Sequence, residues 1–324
     1  MKKKVSVNEP PRYASLMNNL SRREFLNCAS LATAGLAIAP ASHAIVPFKR
    51  LGKPTLRLSL AAYSFRQFFK DGTRQEKGAG PARTIDLFQF LDFCADHGCE
   101  GAELTSYFFP KETDDVFLHR LRRHAFLRGL AISGTAVGNN FTHPKGEARD
   151  REIALVKLWT DRAAALGTAH VRIFAGQSKT LAKADAEKNI IGALEECCDY
   201  AGKKGVFLGL ENHDSIGTAE NLIRLIKMMQ SPWLGVNLDS GNFRTADPYT
   251  DFEQALPYAV NIQIKTEIRR VGAAKSELAD LPRLVKLMRA ANYQGFVALE
   301  YESAEDPFIA IPPTLQQLKK LFAA

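Results

Sequence analysis

The 324-residue sequence lacks the short motifs that assign a nucleotide-binding or serine-hydrolase function directly. No strand candidate is followed by the glycine-rich turn of dinucleotide-binding folds, and neither a Walker A loop nor a G-x-S-x-G elbow is present. Cysteine is scarce: apart from Cys28 there are only Cys94, Cys99, Cys197 and Cys198. Their spacing fits no zinc site, so we expect them to pack in a hydrophobic core.

The chain also has no strong excess of charge outside its N-terminus. Residues 1–44 hold six of the 43 basic residues and two of the 35 acidic ones, which leaves 37 basic and 33 acidic residues in the remainder. So small an imbalance does not favour a nucleic-acid partner. Beyond residue 44 no apolar run is long enough to span a membrane, so we expect no stable membrane anchor.

The N-terminus has the pattern of an export signal. Three lysines open the chain, SRREFL carries the pair Arg22 and Arg23, and the apolar run CASLATAGLAIAPA precedes a small-residue cleavage site at 42–44. This order predicts a twin-arginine (Tat) signal over 1–44, a linker over 45–54 and a periplasmic or otherwise exported protein whose partner is the Tat machinery. An amphipathic helix is the alternative. Tat cargo typically folds before export, which leaves room for a cofactor loaded in the cytoplasm.

From residue 55 onward, short apolar strands alternate with amphipathic helices. The strand candidates are 56–65, 101–108, 131–141, 170–176, 206–214, 234–243, 261–268 and 295–302. The glycines expected just past helix ends, where a left-handed cap is favoured, are Gly98, Gly129, Gly167, Gly205 and Gly295. With a last helix in PPTLQQLKKLFAA, eight strand–helix units predict an α/β fold, a (β/α)8 TIM barrel in one domain over 55–324. A doubly wound sheet is the alternative.

Polar residues alternate with apolar ones at the ends of these strands. In a parallel barrel both faces of a strand are buried, so in NIQIKTEI (261–268) the isoleucines face the helices, and Asn261, Gln263, Lys265 and Glu267 face the axis or the mouth. Other strands present Glu103; His170 and Arg172; Glu211 and His213; Asn237 and Asp239; and Glu300 with Glu302.

Carboxylates that converge in one interior repel each other and resist ionisation. A divalent cation would make their burial intelligible. The alternative is an interior filled by salt bridges to Arg172 and Lys265.

The segments LGLENHD, LGVNLDSGNF, the Q-x-K strand and ALEYE, in this order, resemble the xylose isomerase-like TIM barrels, a superfamily of sugar isomerases, sugar epimerases and AP endonuclease family 2 proteins. The resemblance covers essentially all of 55–324, and AAYSFR, ELTSYFFP and SGTAVGNNF are similar to its exported members. It implies a divalent metal held by Glu211, Asp239, Glu300 and the residue at the family's histidine position. That residue is Gln263 here, and an all-oxygen set favours Mn²⁺ or Mg²⁺ over Zn²⁺. The alternative is that the metal is bound weakly or not at all.

The resemblance implies a metal-dependent sugar isomerase or epimerase that abstracts a proton next to the carbonyl of a free sugar or keto-sugar. A metal-stabilised enediolate would form, with Glu211 and Glu300 as base and acid. The residues expected to contact the carbohydrate are His213, Lys265, Glu103, Arg172, Asn242 and His143. Asn242 stands where many family epimerases have a histidine. A lyase or hydratase of 3-keto-glycosides would use the same residues, and a non-catalytic sugar-binding barrel is a further alternative.

Overall fold

A computed structural model describes residues 44–71 and 83–324, and it confirms the predicted barrel. Eight parallel strands close in the order β1-β8-β7-β6-β5-β4-β3-β2. The strands are β1 (Thr55–Ala61), β2 (Gly101–Thr105), β3 (Ala131–Ala136), β4 (His170–Ile173), β5 (Phe207–Glu211), β6 (Leu234–Asp239), β7 (Ala259–Ile264) and β8 (Gln294–Leu299). A short antiparallel pair, Glu267–Ile268 with Glu277–Leu278, follows β7.

A helix follows each strand within the described residues. These are α1 (Leu87–Asp96), α2 (Asp115–Leu127), α3 (Glu147–Leu166), α4 (Lys183–Lys203), α5 (Ala219–Met228), α6 (Pro248–Ala255), α7 (Leu281–Ala290) and α8 (Pro307–Ala323). Aspartate begins several of them, as at α1, where the Asp86 carboxylate accepts the Gln89 N–H and the Gln89 side chain accepts the Asp86 N–H. The last helix begins earlier than its sequence pattern suggests, because Asp306 caps it and Pro307 occupies its first turn.

The predicted glycine caps hold with one exception. Gly167, for example, ends α3 in the left-handed region at a φ of 79°. The prediction for Gly295 is wrong, since this residue is the second of β8. Asn292 takes the left-handed conformation after α7 instead, at a φ of 53°, a conformation that asparagine tolerates better than most residues.

Most strands leave the sheet earlier than their sequence pattern suggests. Short 3₁₀ turns replace the expected strand ends at Ala62–Phe65, Ser106–Phe108 and Asp214–Ile216. The polar residues that follow the last sheet positions therefore reach the mouth of the barrel from turns. Within β7 the predicted facing is confirmed, because Ile262 and Ile264 belong to the hydrophobic core.

The segment predicted as a linker, 45–54, contains no helix or strand and covers the N-terminal end of the barrel. The Ile45 N–H donates to the Met229 carbonyl at 3.0 Å, and the ring of Phe48 contacts that of Phe207 edge to face. The predicted export signal lies outside the described residues except for Ala44. Every helix in 44–71 and 83–324 is too short or too polar to cross a membrane.

The expectation for the cysteines is confirmed in the described part of the chain. Cys94, Cys99, Cys197 and Cys198 are all buried as free thiols in the core between the barrel and its helices. Burial raises the pKa of the Cys197 thiol above its ordinary value. An uncharged, enclosed thiol packs as a small apolar side chain.

The lower interior of the barrel depends on glycine for space. His170 is buried, and a Cβ at Gly134 would lie 2.6 Å from its Nδ1 atom. At Gly209 an added Cβ would overlap the Nε2 atom of His170 and lie 3.0 Å from the Cβ of Asn237. The imidazole therefore fills space that a side chain would otherwise take.

We expect Gly209→Ala to destabilise the fold by about 1–3 kcal/mol, because the added methyl group overpacks the interior. Urea unfolding followed by circular dichroism measures the change in the free energy of unfolding. Gly192→Ala is the matched control, since its Cβ would meet only Arg149 at 3.7 Å. The control lies inside α4 and should stabilise the protein by about 0.5–1 kcal/mol. Equal effects of the two substitutions would contradict this account.

Candidate active site

Four of the predicted site residues meet at the carboxyl ends of β5 to β8. Glu211, Asp239, Gln263 and Glu300 are each at most 5% exposed. Gln263 lies opposite Asp239 on β6 and opposite Ala298 on β8, and Glu300 follows β8 directly after Leu299. Sheet register alone thus places the carboxamide of Gln263 between two carboxyl groups.

Lys265 lies among these carboxyl groups. Its Nζ atom is 2.9 Å from the Glu300 Oε2 atom, 3.3 Å from the Asp239 Oδ2 atom and in contact with the Glu302 carboxylate. The lysine stem packs against Gly241, where an added Cβ would lie 2.8 Å from the lysine Cδ. The backbone of Gly241 therefore determines where the ammonium group lies.

Arg172 is the second buried cation and faces Glu211. Its Nε atom lies 2.9 Å from the Glu211 Oε2 atom, and its Nη1 donates to the Val137 carbonyl at 2.7 Å. The guanidinium also lies 4.0 Å from the centre of the Phe174 ring. The Asn242 amide donates to the other Glu211 oxygen at 2.8 Å. Glu211 is thereby oriented by a cation on one side and an amide on the other.

Three buried carboxamides, those of Asn237, Asn261 and Gln263, link Glu103 and Glu300 through hydrogen bonds. Asn261 donates to Glu103 and to the Asn237 carbonyl oxygen, both at 2.8 Å. Asn237 donates to the Gln263 Oε1 atom at 2.6 Å, and the Gln263 Nε2 atom donates to Glu103 at 2.6 Å and to Glu300 at 3.3 Å. When Glu103 is ionised it can only accept, and in that state this chain of bonds fixes the orientation of all three amides.

The interior of the barrel contains more carboxyl groups than cationic side chains. Four buried carboxyl groups face two buried cations, so ionising all four would leave two negative charges uncompensated. Burial, reinforced by the charge of Glu300, raises the pKa of Glu103 to about 7. Burial also raises the pKa of Glu211 to about 7 against the opposing pull of Arg172, and it raises that of Asp239 well above its ordinary value against Lys265.

Glu300 behaves in the opposite way. Burial alone would raise its pKa, but the charge of Lys265 and its hydrogen bond outweigh burial, so the pKa of Glu300 is lowered. Two carboxyl groups of one chamber thus differ in protonation near neutral pH. Glu300 is a ready proton acceptor, and Glu211 holds a proton up to a pH of about 7.

The predicted histidines do not enter the interior. β5 ends at Glu211, so strand alternation does not continue to His213, whose side chain is 42% exposed and whose ring lies 4.7 Å from that of Phe174. His143 lies half-buried in the loop between β3 and α3. Sequence reasoning missed the bridging roles of Asn237 and Asn261, although their alternation with apolar residues was a signal for interior positions.

The four residues predicted to hold a divalent ion do not fit one in this geometry. Lys265 bridges Asp239 and Glu300, Arg172 faces Glu211, and Gln263 turns its NH₂ group rather than its oxygen toward the carboxyl groups. No three His, Cys, Asp or Glu side chains of the described ranges form a group that could hold a metal ion. An interior filled by ion pairs to Arg172 and Lys265, the predicted alternative, matches the observed contacts.

A cavity of about 230 Å³ opens from Lys265 at the mouth of the barrel. Its walls include Gly241, Asn242, Arg244, Glu302 and Ser303. Two tyrosines follow the first two strands, Tyr63 after β1 and Tyr107 after β2. The centres of their rings lie 6.3 Å apart. The mouth of the barrel therefore carries charged groups around Lys265 and an aromatic pair after β1 and β2, and both kinds of group suit a small polyhydroxylated molecule.

We expect Glu300→Gln to lower the pKa of both Glu103 and Glu211, because the negative charge of Glu300 raises both. Carbon NMR of protein labelled at the glutamate carboxyls measures the midpoints. The wild type should show two carboxyls titrating near pH 7, and both midpoints should move to lower pH in the variant. The exposed Glu253→Gln should leave them unchanged. A wild type whose glutamates all titrate in the ordinary range would contradict the charge balance described above.

Comparison with known structures identifies the same fold. D-psicose 3-epimerase, solved in the presence of D-fructose, matches with a TM-score of 0.64 at 14% identity, over 82% of this chain and 97% of that one. The 3-keto-D-glucoside 4-epimerase of E. coli matches with a TM-score of 0.60 at 15% identity, over 82% and 100%. A xylose isomerase-like barrel protein of Mycobacterium smegmatis in complex with magnesium matches with a TM-score of 0.64 at 18% identity, over 83% and 96%.

These identities are low enough that the likenesses bear on the fold alone. No curated protein matches the chain. The sequence itself carries the assignment, because the family profile described as "Xylose isomerase-like TIM barrel" matches residues 91–321. With the closed barrel and its polar mouth on the same residues, the chain belongs to the xylose isomerase-like TIM barrel family.

Proposed function

We propose that this protein is a sugar isomerase or epimerase that moves a proton at the carbon next to a carbonyl group. The observation that carries the proposal is the pair Glu211 and Glu300, whose pKa values are shifted in opposite directions within one buried chamber. Carboxyl groups separated in this way supply one base and one acid to the same substrate. The two epimerases among the fold neighbours add support.

The proposed reaction begins with the ionised Glu300 carboxylate. It accepts the proton from the carbon next to the carbonyl, and the electron pair of that C–H bond forms an enediolate. Glu211, protonated below pH 7, returns a proton. Return to the opposite face of the same carbon gives the epimer. Return to the neighbouring carbon gives the isomer, and in that case the hydroxyl proton of the enediolate passes to the former carbonyl oxygen while a new carbonyl group forms. In the reverse direction the two residues exchange roles, so the active enzyme holds one proton on the pair.

A divalent ion remains a prediction from the sequence, with Mn²⁺ or Mg²⁺ favoured over Zn²⁺. The magnesium bound by one fold neighbour supports it, and when bound at such a site the ion would supply a Lewis acid for the substrate oxygens. The side chains of this chain do not fit that ion, so no step of the proposed reaction passes through it.

A free sugar or keto-sugar is the proposed substrate class. The mouth cavity is small and is lined by polar and charged groups, which suits a single sugar unit. The sequence offers no glycine-rich phosphate cradle of the kind that phosphorylated sugars would use. His213, Asn242 and Tyr107 are placed near the mouth, where hydroxyl groups of a bound sugar would lie.

We expect the protein to exchange a carbon-bound hydrogen of one member of a keto-sugar panel when incubated in D₂O. Mass spectrometry should show a gain of one deuterium without loss of water, and turnover should fall as pH rises above about 7, because the pair loses its last proton. Glu211→Gln and Glu300→Gln should each lower kcat by about 10²–10⁴-fold. Glu253→Gln, the same change on an exposed helix, should keep wild-type turnover.

The same incubation separates the alternatives. An unsaturated product would point to the lyase of 3-keto-glycosides instead. Binding of a sugar without any exchange or elimination, unchanged by both interior variants, would leave the non-catalytic sugar-binding barrel.

We also propose that the protein is exported by the Tat pathway, on the strength of its N-terminal pattern. Cell fractionation should place the full-length product outside the cytoplasm with its first 44 residues removed. Arg22→Lys with Arg23→Lys should retain it, unprocessed, in the cytoplasm. Export of this double variant at the wild-type level would overturn the proposal.

A further inference from the structure

Lys265 occupies the place between Asp239 and Glu300 that the family resemblance assigns to a metal ion. Its Nζ atom contacts Asp239, Glu300 and Glu302, and its side chain is only 9% exposed. A buried ammonium group held by carboxylates already supplies the positive charge that they need. A divalent ion at the same place would require the lysine to leave.

The position of Lys265 is built into the fold. Its backbone N–H donates to the Ser240 hydroxyl at 2.9 Å, and its stem lies in the space left by the missing side chain of Gly241. Both partners follow β6 directly, so the strand that supplies Asp239 also positions the lysine. The ammonium group therefore lies at a defined point relative to Asp239.

The hydrogen bonds of Gln263 orient its amide in a way that suits a neighbouring lysine better than a metal ion. Its oxygen accepts from Asn237, and its nitrogen donates to Glu103 and Glu300. Turning the amide to offer its oxygen to a metal would point that oxygen at two carboxyl groups and bring two NH₂ groups together at Asn237. The amide network thus holds Gln263 in the orientation that cannot ligate.

We propose that the site works without a divalent ion and that the Lys265 ammonium stabilises the negative oxygen of the enediolate. This inference rests on the proposed function. Glu302 is the most exposed of the three partners of the lysine, with 36% of its side chain accessible against 6% for Glu300 and none for Asp239. A substrate oxygen replaces Glu302 at one N–H of the ammonium, which keeps its bonds to Asp239 and Glu300. Arg172, in contact with Glu211, holds the opposite side of the chamber positive.

The charge balance of each step is maintained. Glu300 takes the proton from carbon, and the electron pair of the broken C–H bond leaves the negative charge on the former carbonyl oxygen next to Lys265. Glu211 then donates its proton to carbon, which forms the new C–H bond. The carbonyl group forms again, so the oxygen loses its negative charge. No oxidant, reductant or further reactant enters the step.

The test uses the full chain and first measures metal. Wild-type protein should carry far less than one equivalent of any divalent metal by mass spectrometry, its Tm should not rise with 1 mM Mn²⁺ or Mg²⁺, and EDTA should not reduce deuterium exchange. One equivalent of bound metal, a rise in Tm with either ion or loss of exchange in EDTA would overturn the inference. Metal content and Tm need no turnover, so they decide whether the site holds a divalent ion even if no sugar exchanges, in which case the role of Lys265 in the reaction fails together with the proposed function.

Lys265→Met provides the second arm. Without the ammonium, Asp239 and Glu300 are left unpaired, so the Tm of this variant should rise with Mn²⁺, while kcat for exchange should fall by about 10²–10³-fold. Lys204→Met removes a lysine that pairs with Asp161 on the surface and should match the wild type in both measurements. Wild-type turnover in Lys265→Met would overturn the role of the lysine. If this variant does not fold, the metal measurements on the wild type still decide.

Discussion

A closed parallel barrel leaves no strand face in contact with water, and this constraint governs the site. Glu103, Glu211, Asp239 and Glu300 cannot turn outward to be hydrated. Each must be neutralised by a proton, a cation or a hydrogen-bond donor inside the barrel. Arg172, Lys265 and the three interior amides meet that demand together, so we expect the removal of either cation to change the protonation of the carboxyl groups.

The partial compensation also separates the pKa values of the carboxyl groups. Two cations for four carboxyl groups leave a shortage of positive charge, so the pKa values of Glu103, Glu211 and, despite its contact with Lys265, Asp239 are raised. Glu300, bonded to Lys265, loses its proton first. A fully compensated interior would ionise every carboxyl group at neutral pH and leave no acid.

Much of the fold could be predicted from periodicity because a barrel repeats one unit. Apolar runs and helical spacing located eight strands and eight helices, and the alternation in 261–268 oriented Gln263 toward the axis. Strand ends were harder to predict, because the residues that follow Ala61 and Glu211 are compatible with either a strand or a turn. The position of His213 at the rim follows from where β5 ends, which no local pattern specifies.

Spacing left two kinds of partner open for the site residues, a metal ion or ion pairs to Arg172 and Lys265. The sequence placed Glu211, Asp239, Gln263, Glu300 and Lys265 at one end of the barrel, and the structure brings them together there. Whether their charges meet a metal or each other depends on distances across four strands. The contacts of Lys265 are set by Gly241, a residue whose importance lies in the side chain it lacks.

Gln263 and Lys265 are best understood as one unit. An imidazole at residue 263 would offer one nitrogen to a metal and at most one proton to a neighbour. A carboxamide can donate two protons and accept at its oxygen, and here it uses both abilities, toward Glu103 and Glu300 on one side and Asn237 on the other. The hydrogen bond from Gln263 to Glu300 helps to stabilise that carboxylate, and Lys265 contacts both Glu300 and Asp239. The glutamine in the seventh strand and the lysine two residues later thus form a consistent alternative to a histidine and a metal ion.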